Sequence, residues 1–439
     1  MSTSATTATH DAIVIGGGPA GSAAAGLLAK AGFDVLLLEK EQFPRYHIGE
    51  SLIPGLNSVI DELGAREAIE AANFTSKPGI SLLWGGEGKL WSIAFGESGP
   101  YEYTWQVKRA DFDLILLEHA RKLGALVVEH ATVRDILTEG DRVTGVTYSL
   151  GKGAEPVSAK AHFVIDASGQ SKIIPRKFDL VEYHDDLKNL AVWSYYQGGT
   201  SVPDAPKGNI LVENHPDGWL WVIPFSDGSK SVGFVGPNDA VASDKRPPIE
   251  LLEEQISTSQ IAKSMLEGTT RVADCRTAKD WSYTCRSFSG PGYILVGDSA
   301  AFIDPLFSTG VTLAMKGASS AAATVAASLK QPDREEEFRR EYDTGLGEFL
   351  DSVLSFVRFF YDASRDVEAY WAKAKTLVDP IGLMTDRQDF IVMVSGLNAE
   401  LPVMQPHLDA APDGVAEGRN AHSRNRGDEW AHVSTVTEK

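Results

Sequence analysis

Cysteine is nearly absent from this chain of 439 residues, with Cys275 and Cys285 the whole complement. Two thiols cannot frame a disulfide-stapled fold, and their scarcity suits a reducing compartment. Positive charge is also scarce. Lys and Arg total 41 against 60 Asp and Glu, a formal charge of −19. Nothing in that balance offsets phosphate repulsion, which argues against a nucleic acid or an anionic membrane surface as partner. Residues 1–11 lack the basic stretch that opens a secretory signal. The uncharged run Ala12–Ala29 has the length of a membrane span, but three consecutive glycines and a proline interrupt its first half. A strand, a tight turn and a helix account for it better, and a cytoplasmic protein is expected. What remains is enough chain for two or three packed units with a large core.

Asp11–Ile15 reads as a short buried strand, Ser22–Lys30 as an Ala/Leu-rich helix, and Val35–Leu38 as a second strand ending at Glu39. This β-turn-α-β unit belongs to a doubly wound parallel sheet. Leu114–Leu123 reads as helix, with Leu126–Val128 and Val164–Ile165 as further strands. From Ile173 to Asp280 the pattern changes to alternating strands, among them Leu190–Tyr196, Gly218–Phe225 and Ser231–Gly236. The last two are split by Asp227-Gly228, a hairpin signal. Tyr293–Val296 then returns to the first domain and Gly310–Leu329 reads as a long helix. The fold class expected is α/β, α+β overall: a Rossmann-like dinucleotide-binding domain from 8–172 and 281–332, interrupted by an antiparallel-sheet substrate domain at 173–280. A helical region, 333–405, caps that sheet, and the polar stretch 406–439 has little to bury and is expected to be a disordered tail.

Gly16-Gly17-Gly18-Pro19-Ala20-Gly21 fits G-x-G-x-x-G between a strand and a helix. Gly16 allows the tight turn, Gly18 lets the backbone approach a pyrophosphate, and Gly21 allows close helix–strand packing. The helix start offers unpaired amides to the anion, and Glu39 stands where a ribose-binding carboxylate belongs. The pattern leaves flavin and nicotinamide open. Three further segments favour FAD. Phe43–Ser51 offers Arg45 and Glu50; Val107–Asp113 carries Arg109 and Asp113 at a helix start; Gly297-Asp298 closes a late strand.

In that order along the chain, these residues resemble the p-hydroxybenzoate-hydroxylase-like flavoproteins. Within that class, Trp219-Leu220-Trp221-Val222-Ile223-Pro224 matches the Trp-x-Trp-x-Ile-Pro motif of the flavin-dependent halogenases. The plain alternative is sheet core, because alternating indoles share one face of a strand. The resemblance gains two supports. Lys77, in Phe74-Thr75-Ser76-Lys77-Pro78-Gly79, stands where that family has its catalytic lysine; flanking apolar residues favour burial and hence a neutral amine. Phe302–Val311 resembles the halide segment, with Thr309 and Gly310 presenting amides at the start of a helix.

The resemblance spans about residues 11–400 and looks closest to the branch acting on phenols, including carrier-bound tyrosyl groups. It implies FAD, used as FADH2, held by Gly16, Gly17, Gly18, Ala20, Gly21, Glu39, Arg45, Glu50, Arg109, Asp298 and Val311, with chloride or bromide at Thr309 and Gly310 and dioxygen as cosubstrate. No metal is called for. A separate flavin reductase would supply reduced FAD, and hypohalous acid would pass to Lys77, which either forms a chloramine with it or polarises it by hydrogen bonding, so that an electron-rich arene, free or carrier-bound, is halogenated. Trp219 and Trp221 would keep that arene from the flavin. An aromatic hydroxylase on the same framework is the rival expectation, and a catalytically silent flavoprotein in a biosynthetic assembly is another.

Overall fold

The computed structural model describes residues 9–243, 245–379 and 381–398; the tail expected at 406–439 lies outside the described residues. Two large sheets organise the chain. The first runs, in spatial order, Ser289–Gly290, Tyr293–Leu295, Val157–Asp166, Thr9–Ile15, Val35–Leu38 and Leu126–Val128. Its central strands pair in parallel, Ile13 against Val164 and Leu36. Thr9–Ile15 and Val35–Leu38 are buried almost without interruption, as are the last four residues of Val157–Asp166, as strands covered on both faces must be. The helix Pro19–Lys30 packs against both Arg109–Lys122 and Gly310–Lys330. Small residues make that approach possible: most of Gly310–Lys330 is Ala, Ser or Gly, and nearly all of it is buried. The hairpin Ala131–Glu139 and Arg142–Leu150 extends this sheet.

The second sheet is built around Val181–Gln197, a 17-residue strand paired antiparallel with both Ser229–Pro237 and Arg276–Cys285. Gly218–Pro224 and Ser229–Pro237 form the expected hairpin, with Gly228 at φ +80° in its turn. This sheet reaches beyond 173–280. It draws Gly79–Leu83 and Leu90–Ala94 from the earlier segment, and Ala301–Phe302 from the later one. Nor is it wholly antiparallel, since Ile210–His215 lies parallel to Gly79–Leu83. The helices Glu335–Phe360, Val367–Val378 and Asp386–Val394 close over its far end. Trp84 donates its indole N–H to the Phe360 carbonyl, and Trp91 packs edge-on to Trp371. Among the described residues no helix is long and apolar enough to cross a membrane.

Candidate functional site

A cavity of about 570 Å³ opens where the first sheet meets the second, within the range that holds a cofactor or small ligand. The glycine turn forms one end. Gly16 sits at φ +100°, and a Cβ on it would fall 2.5 Å from the Ala167 carbonyl; one on Gly21 would fall 1.9 Å from the Gly16 carbonyl. Both must be glycine. Gly18 instead faces the cavity, and the nearest atom to a Cβ there is Arg45 Nη2 at 3.5 Å. Gly16, Gly18, Ala20, Glu39 and Arg45 line this end, whereas Gly17 and Gly21 lie behind it and shape it. Gly17 donates its amide to Glu39 Oε2 at 2.6 Å, and Glu41 donates to Oε1 at 2.8 Å. The carboxylate is thereby fixed with lone pairs left for a diol. Arg45 and Arg109 both pair with Asp113, which is buried behind them. Burial pushes that carboxyl up, but the two guanidinium groups outweigh it and hold it below its ordinary value.

Trp219 and Trp221 line the same cavity, their ring centroids 6.0 Å apart. Their register explains the wall. Trp221 lies opposite Gly233, where a Cβ would come within 2.2 Å of the indole, so only glycine lets the ring lie flat. Each indole N–H is anchored, Trp219 to the Tyr361 hydroxyl and Trp221 to Ser231 Oγ. Trp193, on Val181–Gln197 across the intervening strand Ser229–Pro237, adds a third indole 6.4 Å from Trp221.

Glu50 and Ser51 run past this wall in extended backbone, and both border the cavity. Ser51 turns its hydroxyl toward Lys77. The Lys77 amine donates to Ser51 Oγ at 2.8 Å and to the Leu52 carbonyl at 2.7 Å. Lys77 is 0 % exposed, and burial lowers its pKa to about 7. It does not itself line the cavity: Ser51 stands between. Glu50 turns the other way and accepts from the Tyr195 hydroxyl at 2.8 Å. Burial pushes its pKa up to about 7, partly opposed by the Tyr195 and Ser231 hydroxyls.

Thr309, Gly310, Val311 and Asp298 complete the lining. Gly310 opens the 21-residue helix, whose first amides have no intrahelical partner. Ser308, just before it, is held at φ +59°. Asp304 braces this turn by accepting from the Leu306 amide, and it also accepts from Tyr361, the residue that holds Trp219. The Ser308–Gly310 turn and the indole wall are thus tied through one buried carboxylate. Asp298 is pushed up to about 6 by desolvation. Among the described residues no cluster of His, Cys, Asp or Glu could hold a metal ion.

The tryptophan halogenase family model matches residues 11–102 and 97–390. The chain is 38% identical over 399 residues to the tryptophan 2-halogenase of Chondromyces crocatus, covering 88% of this chain and 75% of that one. It belongs to the flavin-dependent halogenases. Among solved structures, the myxobacterial chondrochloren halogenase CndH matches with a TM-score of 0.77 and 32% identity, over 94% of this chain and 97% of that one. The flavin-dependent brominase Bmp2 matches with a TM-score of 0.78 and 26% identity, over 97% and 100%.

The halogenase is therefore an FAD enzyme, and its residues fit that cofactor. The glycine turn leaves room for a pyrophosphate only because no side chain fills it, and the helix behind it starts without a side-chain cap. Sequence reading missed Ser51, Trp193, Tyr195, Gly233 and the Asp304–Tyr361 brace. Strand alternation was the available signal for Trp193 and Tyr195, which share a face at i and i+2. Nothing local marked Tyr361 as a partner of Asp304.

Proposed function

We propose that this halogenase uses reduced FAD and dioxygen to oxidise chloride or bromide, and transfers the halogen to an electron-rich arene. A phenol or tyrosine-like group, free or carried on a protein, is the substrate class the motif resemblance favours, in the making of a natural product. A separate reductase supplies the reduced flavin. The observation that carries the reading is Lys77: a wholly buried lysine, its amine shifted toward neutrality, held by Ser51, which borders the same cavity as the indole pair and the glycine turn. When bound, FAD supplies the electrons with which dioxygen oxidises the halide. The chain does the rest. Gly16–Gly21, Glu39, Arg45 and Arg109 hold the dinucleotide, and the Thr309 and Gly310 amides hold the halide at the positive end of a long helix. Trp219 and Trp221 exclude the arene from the flavin side, and the neutral Lys77 amine receives electrophilic halogen and presents it to the ring.

Lys77→Ala tests this directly. Mass spectrometry of products formed with a reductase and chloride, against phenols and pyrroles both free and carrier-bound, should show the chlorine isotope doublet for the wild type. The variant should lose roughly 10²–10⁴-fold of that rate while binding FAD as before. Chlorination at the wild-type rate by Lys77→Ala would sink the assignment. An oxygenated product formed with NAD(P)H and no halide would identify a hydroxylase instead.

A further inference from the structure

We propose that Glu50, Tyr195 and Tyr46 form a proton line that delivers a proton from solvent into the flavin cavity at each turnover, an inference that rests on the halogenation reading above. Proton balance creates the need. Reduced FAD with two hydrogens, dioxygen, a halide anion and an arene C–H yield oxidised FAD, an aryl halide and two waters only if one further proton is taken up. The indole wall and buried Lys77 surround that chemistry with groups that exclude water, so the proton needs a route.

The geometry provides one with a direction. The Trp193 indole N–H, which can only donate, binds the Tyr46 oxygen at 2.7 Å. That leaves the Tyr46 proton for the Tyr195 oxygen, 2.8 Å away. Tyr195 in turn donates to Glu50 Oε1 at 2.8 Å. Every hydroxyl thus points from Tyr46, a cavity-rim residue 41 % exposed, toward Glu50, 3 % exposed. At the inner end Glu50 borders the cavity, with the Ser231 hydroxyl beside its carboxylate. Transfer is balanced at each link: Tyr46 takes a proton from water as it gives its own to Tyr195, and Tyr195 gives its own to the Glu50 carboxylate. The carboxyl then turns that O–H toward the cavity and releases the proton there, and both tyrosine hydroxyls rotate back to their starting orientation before the next transfer. Neither tyrosine need ionise, which burial opposes in both. The charged groups acting on the line are Arg109 and Lys108 toward Glu50 and Arg276, stacked 3.8 Å from the Tyr46 ring.

Infrared spectroscopy of the FAD-loaded enzyme provides the test. The carboxylic acid band of Glu50 is assigned by its loss in Glu50→Gln, and its exchange is followed after mixing into D2O. Tyr195→Phe and Tyr46→Phe should slow that exchange without weakening FAD binding. Single-turnover halogenation with reduced FAD should fall roughly 10²-fold in Tyr195→Phe and show a larger solvent isotope effect. Tyr195→Phe should also raise the Glu50 pKa, because a donor to the carboxylate is lost. No band lost in Glu50→Gln near neutral pH, or unchanged exchange and turnover in both tyrosine variants, would overturn the proposal. Slowed exchange in an enzyme whose wild type yields no halogenated product would keep the line and remove the halogenation reading instead.

Discussion

The two ends of the cavity are built from opposite materials. At Gly16–Gly21 the site consists of backbone: carbonyls packed so closely that a Cβ on Gly21 would sit 1.9 Å from the Gly16 oxygen. At Glu50–Ser51 and Lys77 it consists of ionisable side chains withdrawn from water, both displaced to about 7 from opposite directions. The first end offers shape and positive charge, and its carboxylates are clamped, Glu39 by two amides and Asp113 by two guanidinium groups. On the reading proposed above, the second end handles protons and reactive halogen, and its properties depend on burial and a few hydrogen bonds. Damage to the first should therefore appear as lost cofactor. Damage to the second should appear as lost chemistry in a loaded enzyme.

The strongest way to break this contrast is to remove the wall between the two ends. Trp219→Ala and Trp221→Ala each delete a large buried ring and should cost about 3–5 kcal/mol of stability. In the double variant, at a temperature where it stays folded, a greater share of the reducing equivalents should be lost as hydrogen peroxide. The Phe/Phe pair keeps the wall while giving up the bonds to Tyr361 and Ser231, and should stay close to wild type in peroxide yield. Identical peroxide and product yields from a folded Ala/Ala enzyme would return the two indoles to plain sheet core.

A smaller effect probes the glycine end alone. Gly21→Ala forces a methyl group against the Gly16 carbonyl, and overpacking of this kind costs about 1–3 kcal/mol. Carried into FAD affinity, that is roughly 5–150-fold weaker binding by fluorescence titration. The residual loaded enzyme should keep the wild-type product pattern. A changed product pattern would mean that the two ends are not separable.

How much of this was readable in the chain differs between the ends for the same physical reason. The glycine turn is local. Strand, turn and helix fall within about twenty residues, and the need for φ > 0 or close approach leaves one residue type, so sequence alone carries it. The indole pair is also local, because strand periodicity puts i and i+2 on one face. Lys77 is different. Its solitary charge reads as solvated surface, and what buries it are Ser51 and the Leu52 carbonyl, 26 and 25 residues back; only family resemblance singled it out. The Tyr46–Tyr195–Glu50 contacts join residues 149 and 145 apart, a connecting segment after Val35–Leu38 and the central strand of the second sheet. The same long range hid Gly79–Leu83 and Leu90–Ala94, whose place in the second sheet is set by pairing with Ile210–His215.

The finest test sharpens the other end, through the pH dependence of stability. Lys77 has its folded pKa lowered to about 7 from an ordinary 10.5. Between those values the unfolded chain binds more protons than the folded one, so stability rises with pH. The cost of burying the charged amine is present in full below pH 7 and is relieved as pH climbs through 7. From pH 6 to pH 8 this one group should add about 1.4 kcal/mol to wild-type stability. Lys77→Met, similar in length and uncharged, lacks that gain. Urea titrations should therefore find its advantage over wild type about 1.4 kcal/mol larger at pH 6 than at pH 8. Glu50 titrates in the same window with the opposite sign, since a raised carboxyl favours the folded state at low pH, but it is present in both proteins and cancels in the difference. A pH-independent difference would mean that Lys77 stays charged in the fold. In that event the amine could not act as a nucleophile toward the halogen, and its part would reduce to hydrogen-bond donation.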